Sequence, residues 1–327
     1  MRSMASWGND LYTGETSIPF VRKRKLWFII AIVLVLISIA SPFVRGVQFS
    51  IEFTGGSQFT ISGVSSQDQD IATATVNQVE PDAEARVITV GDSDIRVQTS
   101  QLTTDQTQQL TTLLADAYGV DVKEVTSSFI GPTWGQDVTR QSLWGLGVFL
   151  ALTFIILAIY FRTWKMSVAA IIGLIDVLVI TIGVYALAGF EISPAAVIGF
   201  LTILGYSLYD TTVVFDKIRE NTQAGAMGDR TFGDAVNLGV NQTLVRSINT
   251  SIVAALPVAA ILFIGVIWFG AETLSDISLS IFVGILVATY STLFVSAPLY
   301  AWMREREPAI VQHDRRVREA RGAAVTA

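Results

Sequence analysis

The sequence predicts a polytopic α-helical membrane protein with six transmembrane helices and a small α+β domain inserted after the first. Three observations predict it. Of 327 residues, 51% are hydrophobic and only 15% are charged, against about 25% charged in an ordinary soluble domain. Six apolar runs reach the roughly 20 residues that cross a bilayer at about 1.5 Å each. One long stretch between the first two runs is instead polar and acidic, with 13 Asp and Glu over 45–141.

The runs lie at 26–44, 142–161, 166–189, 193–215, 248–270 and 277–300. The first is followed by an extracytoplasmic domain, 45–141, and the other five make a bundle over 142–303. The first run follows Arg22, Lys23, Arg24 and Lys25, as a signal peptide would. It stays apolar to Val44, longer than a usual signal core, and is expected to be an uncleaved anchor. Basic residues set the orientation: 17 of the 22 Lys and Arg fall in 1–25, 162–165, 216–247 and 301–327. The positive-inside rule therefore puts the N-terminal segment 1–25 and the tail 304–327 in the cytoplasm, with 45–141 outside.

Within the outer domain, Ser57–Ser62, Arg86–Val90, Asp94–Thr99 and Val120–Ser127 have strand patterns, and a turn is expected at Gly91–Asp92. Ser66–Val79 and Thr103–Tyr118 have helical ones, with Ser66/Gln69 and Thr103/Gln106 in capping-box spacing. The order βαββαβ is that of ferredoxin-like folds. A further strand is expected over Val47–Phe53. Gly55 and Gly56 close the Phe53–Gly56 run (FTGG), where paired glycines permit an ordinary turn or a close backbone approach.

The membrane acids are the most informative residues. A carboxylate at bilayer depth costs at least about 2.5–3.5 kcal/mol and persists only beside a partner, water or a bundle interior. Asp210 lies in the fourth run with Thr202 and Tyr206 at spacing four and Ser207 at spacing three, so one face of that helix is polar and expected to point inward. Arg246 opens the fifth run, with Asn249 and Thr250 on its own face, and is expected to pair with Asp210. Such a pair can carry a proton, or it can merely fix helix register. Asp176 sits mid-way along the third run with no partner in its own helix, so it is expected either to join the same cluster or to hydrogen-bond across helices. Asp216, Lys217, Arg219 and Glu220 are expected to be solvated at the membrane exit. Thr289, Thr292 and Ser296 are expected to glue helices, and Gly145, Gly199, Gly205 and Gly284 to allow close packing.

Composition narrows the chemistry. There is no cysteine for a disulfide or thiolate metal site, and the one histidine, His313, lies in the polar tail. No cofactor, hydrolytic site or nucleic-acid footprint is expected. An intramembrane carboxylate serves a proton or a sodium gradient, so that choice stays open.

Gly205–Asn221 (GYSLYDTTVVFDKIREN) closely resembles the signature of the bacterial SecF family, part of the SecD/SecF group of the RND-like superfamily. Val245–Ser251 (VRSINTS), Phe53–Gly56 and Ala288–Thr292 (ATYST) resemble further elements of that family, in matching order over about 20–305. The resemblance implies a 1+5 half-arrangement of helices that pairs with SecD. The pair would work with the SecYEG channel and the ATPase SecA, using the proton motive force to draw unfolded preproteins outward. It links Asp210 and Arg246 to proton passage, with Asp176 at the third-span acid. Relatives often place His before that acid and Asp before FTGG, where this chain has Ile175 and Glu52. The alternative is an RND-type half-transporter exporting a small molecule or lipid. A non-transporting scaffold is a third reading.

Overall fold

A computed structural model describes residues 4–46, 48–81, 85–90, 93–223, 225–264 and 272–326. The turn expected at Gly91–Asp92, the position Val47 and the end of the fifth run beyond 264 lie outside the described residues.

Six helices are long and apolar enough to cross a membrane. An N-terminal helix α1 (Met4–Thr13) precedes the first of them, α2 (Arg24–Arg45). A short strand β1 (Gln48–Phe49) and one helical turn α3 (Ile51–Thr54) lead into the outer domain. That domain comprises β2 (Gly56–Ile61), α4 (Gln69–Val79), β3 (Arg86–Val90), β4 (Asp94–Thr99), α5 (Thr104–Tyr118) and β5 (Val125–Ile130). The bundle continues with α6 (Pro132–Phe161), α7 (Trp164–Ala188), strand β6 (Glu191–Ile192), α8 (Pro194–Thr222) and α9 (Phe232–Ile264). It ends with α10 (Glu272–Ser291), a π turn (Thr292–Ser296), α11 (Ala297–Arg304) and the tail helix α12 (Pro308–Thr326).

The outer sheet has strand order β3-β4-β2-β5, with every neighbouring pair antiparallel. Phe59 and Ile61 of β2, Ile95 and Val97 of β4, Val76 of α4, and Leu110 and Leu114 of α5 form its core. The alternation of β4 supplies two of these, since only every second side chain of a strand faces the helices. Thr103 and Gln106 make the expected reciprocal cap of α5. The cap of α4 differs: Asp68, not Ser66, accepts from the Asp70 amide. A carboxylate at the N-cap reaches the amide two residues on directly.

The strand expected over Val47–Phe53 breaks after two residues into α3. Phe53 then packs in an apolar cluster with Tyr185 and Phe200 of the bundle. Gly55 and Gly56 explain the fixed geometry. Both have positive φ (74° and 125°). A side chain on Gly56 would strike the Thr99 carbonyl, and one on Gly55 would come within 2.9 Å of Pro132 Cα. The pair is therefore a close approach that locks the sheet against the start of α6.

The bundle helices extend further than their apolar runs. α6 starts at Pro132, where a missing amide hydrogen costs nothing. α9 starts at Phe232, and Asp314 of α12 accepts from the Phe232 amide at 2.8 Å. Leu11, Phe20 and Val21 of the N-terminal segment are buried with Phe215, Phe232 and Tyr300. Glycine packing is partly as expected. Cβ atoms on Gly199 and Gly284 would collide with Ser280 and Ile203, whereas Gly145 and Gly205 face open space. Gly173, Gly183 and Gly239 supply further close approaches, to Ser296, Ser38 and Ile218. The π turn lies just before Pro298, whose ring displaces the carbonyl of residue i−4 and widens the helix there.

Candidate ion-coupling site in the membrane

α8 presents a buried stripe of Ile203, Ser207, Asp210, Thr211 and Val214. This stripe follows helical spacing, but it is rotated from the expected one. Ser207 and Asp210 point inward, Tyr206 is half-buried, and Thr202 is exposed, its hydroxyl returning to the Ile198 carbonyl. The difference is geometric: residues at spacing four lag about 40° per pair on a 3.6-residue helix, so 202, 206 and 210 fan across the boundary of the face.

Asp210 is 4% exposed. Its Oδ1 accepts a 2.8 Å hydrogen bond from Ser247 Oγ of α9, and its Oδ2 has no hydrogen-bond partner. Next to it, Thr211 Oγ1 and Thr292 Oγ1 of the π turn lie 3.0 Å apart, so a polar contact links α8 to the last span. One turn further along, Ser251 Oγ is 2.5 Å from Thr289 Oγ1 and accepts from the Tyr206 hydroxyl at 3.4 Å. Three helices, α8, α9 and the α10–α11 span, thus converge on the acid through hydroxyl groups. Thr289 and Thr292 act as the expected glue.

The expected pairing of Asp210 with Arg246 is corrected by this geometry. Among the described residues no ion pair joins them. Arg246 is exposed on the other side of α9, where its Nη2 donates to the Tyr209 hydroxyl at 3.3 Å. Asn249 is exposed beside it, and the Thr250 hydroxyl donates to the Arg246 carbonyl at 2.7 Å. Consecutive residues diverge by about 100° on a helix, so when Ser247 enters the interface Arg246 must leave it. Arg246, Asn249 and Thr250 instead line an outer pocket of about 500 Å³ with Gly8 and Tyr12 of α1. Ser247, at 0% exposure, is the partner that the polar face had concealed.

Asp176 is also buried, at 6% exposure, and its Oδ2 has no hydrogen-bond partner. It lies on α7, away from the α8–α9 seam. Its neighbour across the helices is the Ser291 hydroxyl of α10, which also reaches the Gly173 carbonyl at 3.0 Å. The structure therefore does not bring Asp176 into the Asp210 cluster. At the membrane exit, the Tyr160 hydroxyl donates to Asp216 at 2.8 Å and Lys217 pairs with Glu220 at 2.9 Å.

A second feature escaped the sequence pattern. Glu191, in the short turn between α7 and α8, accepts from Arg96 Nη1 at 2.7 Å and from Gln98 Nε2 at 2.5 Å. Both donors lie on β4, and β1 pairs in parallel with β6 beside them. The outer sheet is thereby bolted to the turn that starts α8. In sequence, Glu191 is a single loop acid; only the fold shows what it faces. Among the described residues there is no group of three or more His, Asp or Glu placed to hold a metal.

Comparison with known proteins agrees with this architecture. Residues 109–306 match the family described as protein export membrane protein SecD/SecF, C-terminal, and residues 40–63 match the SecD/SecF GG motif. The chain is 42% identical to protein translocase subunit SecF of Streptomyces coelicolor, over 99% of this chain and 87% of that one. It is 36% identical to the subunit of the same name from Mycobacterium tuberculosis, over 97% and 74%. The crystal structure of SecDF, a translocon-associated membrane protein from Thermus thermophilus, aligns with a TM-score of 0.75 at 28% identity. That alignment covers 89% of this chain and 39% of the SecDF chain, so the chain spans well under half of it. The GG pair that locks the outer sheet and the helices that carry Asp210 and Ser247 both fall inside the matched segments, and the chain belongs to the SecD/SecF family of protein export membrane proteins.

Proposed function

We propose that this chain is the SecF half of an accessory unit that promotes preprotein export across the bacterial cytoplasmic membrane, driven by the proton motive force. It works with a SecD-like subunit, the SecYEG channel and SecA, on unfolded preprotein. Both termini are cytoplasmic, and 45–141 is an extracytoplasmic ferredoxin-like domain. The bundle is one RND-like half, and no bound cofactor takes part.

One observation carries the coupling mechanism: Asp210 is buried between three helices with one hydrogen bond, one free carboxylate oxygen and no cation in contact. A carboxylate so placed is poorly supported in its charged form, and a proton removes that cost. Proton arrival and departure at Oδ2 change what Asp210 demands of Ser247. In the ionised state Arg246, one residue before Ser247 and already beside Tyr209, turns toward the acid. α8 moves against α9, and its far end, about 24 Å from Asp210 at 1.5 Å per residue, begins beside Glu191. That turn holds β4, so the outer domain changes posture with the helix and alternately grips and releases an emerging chain. Asp176 stays outside this step.

The experiment is Asp210→Asn in cells whose own copy has been deleted. Pulse-chase of an exported preprotein is expected to slow at least tenfold, with a SecD-like subunit still co-purifying. Export at the normal rate would remove the mechanism. Failure to recover a SecD-like subunit with the unaltered chain would remove the assignment to export.

A further inference from the structure

A groove of about 710 Å³ opens between α2, α7 and α11, well apart from the Asp210 cluster. Its two ends differ sharply. Arg24, Lys25 and Arg306 stand at one end, and Asp176 lies deeper in, on the α7 wall. Between them the wall is apolar, with Phe28, Ile32 and Leu36 of α2 along one side and Ile172 of α7 facing them.

The charges at the basic end are only partly cancelled locally. Arg24 is taken by Glu305. Glu307 is taken by Lys165 and Arg304, which hold its carboxyl below the ordinary range, chiefly through the Arg304 hydrogen bonds. Among the described residues, Lys25 and Arg306 have no carboxylate in ion-pair contact. Arg306 instead lies over the exposed Trp302 ring at 5.2 Å, an arrangement suited to the level of lipid headgroups.

Length decides what fits. From Lys25 to Leu36, α2 rises about 16 Å, half of a hydrocarbon core about 30 Å thick. The groove is therefore as deep as one leaflet. Asp176 lies along its α7 wall, the one acid among the lining residues.

We propose that this groove holds a single anionic phospholipid of the leaflet on the basic side. Its phosphate sits between Lys25 and Arg306, and one acyl chain runs along Phe28, Ile32 and Leu36 to cover Asp176. A basic rim over an apolar slot is the arrangement that selects an acidic headgroup. A partner helix would leave both cations without a counter-charge. The bound chain keeps water from Asp176, which accounts for a buried acid that takes no part in the helix contacts around Asp210.

The test uses the full chain purified in detergent with its accompanying subunit. Phosphatidylglycerol is expected to raise the melting temperature and to be retained as one molecule in native mass spectra, and phosphatidylcholine is not. A Lys25→Ala/Arg306→Ala double variant is expected to bind phosphatidylglycerol about 30-fold more weakly, at roughly fivefold per basic residue lost. Ile32→Trp keeps both cations but fills the slot, and is expected to lose the retained lipid. Equal stabilisation by phosphatidylcholine, undiminished binding by the double variant, or the same effect from inorganic phosphate alone would each overturn the proposal.

Discussion

Two carboxylates lie inside this membrane bundle, and their surroundings differ. Asp210 is gripped by Ser247 at 2.8 Å in a seam where α8, α9 and the last span meet through hydroxyls. Asp176 is equally buried, but its neighbour across the helices is Ser291 of α10, outside the α8–α9 seam, and it lines an apolar groove. Burial alone therefore does not mark a coupling residue. What separates the two acids is their place: Asp210 sits in the seam where hydroxyls of α8, α9 and the last span meet, and Asp176 does not.

Neutralising each acid tests that distinction most strongly. Asp210→Asn is expected to slow export at least about tenfold, since loss of the titrating group leaves nothing to cycle. Asp176→Asn is expected to stay within about threefold, because Asp176 lies outside the α8–α9 seam. Similar losses for both, in the same export assay, would erase the comparison.

The next effect concerns transmission from the seam. Glu191→Gln removes the charge that Arg96 and Gln98 address, and Arg96 and Glu191 are 13% and 9% exposed. Breaking a buried pair on one side costs about 3–5 kcal/mol. The outer domain is expected to loosen on the bundle, seen as faster hydrogen exchange in β4, with Asp210 still seated on Ser247. Unchanged exchange would mean that β1–β6 pairing alone holds the domain.

Ser247→Ala removes the single hydrogen-bond donor of Asp210. An unsatisfied buried group costs about 1–3 kcal/mol, so gradient-driven export is expected to fall about tenfold, with Ser247→Thr recovering most of it. An Ala variant with full activity would reduce Ser247 to a packing residue.

The smallest effect tests the ion pairs around Glu307, outside both sites. Glu307 is held below the ordinary carboxylate range, first by Arg304 and then by Lys165. Its folded value lies below its unfolded one, so its stabilisation is present above about pH 4 and is lost as pH falls through the depressed value. Glu307→Gln is expected to lower stability by about 1 kcal/mol or less at neutral pH and to flatten the acid side of the stability curve below the ordinary carboxylate range.

Local features were legible in the chain. β3 and β4 occupy the residues their alternation marks, and the Thr103–Gln106 cap needs only three consecutive spacings. The apolar runs show which helices span but not where they end, because α6 and α9 continue as polar helix beyond the bilayer. Rotation was the harder quantity. Arg246 and Ser247 are neighbours in sequence, and only the packing of α9 on α8 decides which one meets Asp210. A charge looked the natural partner for an acid, yet a serine small enough to fit the seam took the place. Glu191 was unreadable for a related reason, since its partners lie some 95 residues earlier on β4.

The central claim is that Asp210 is the group that binds and releases the coupling ion. The direct measurement is preprotein translocation in proteoliposomes holding this chain with its SecD-like partner, the channel and SecA, under an imposed pH gradient and, separately, an imposed sodium gradient. The pH gradient is expected to accelerate translocation for the unaltered chain and to do nothing for Asp210→Asn. Equal acceleration in that variant, or acceleration by the sodium gradient alone, would contradict the account.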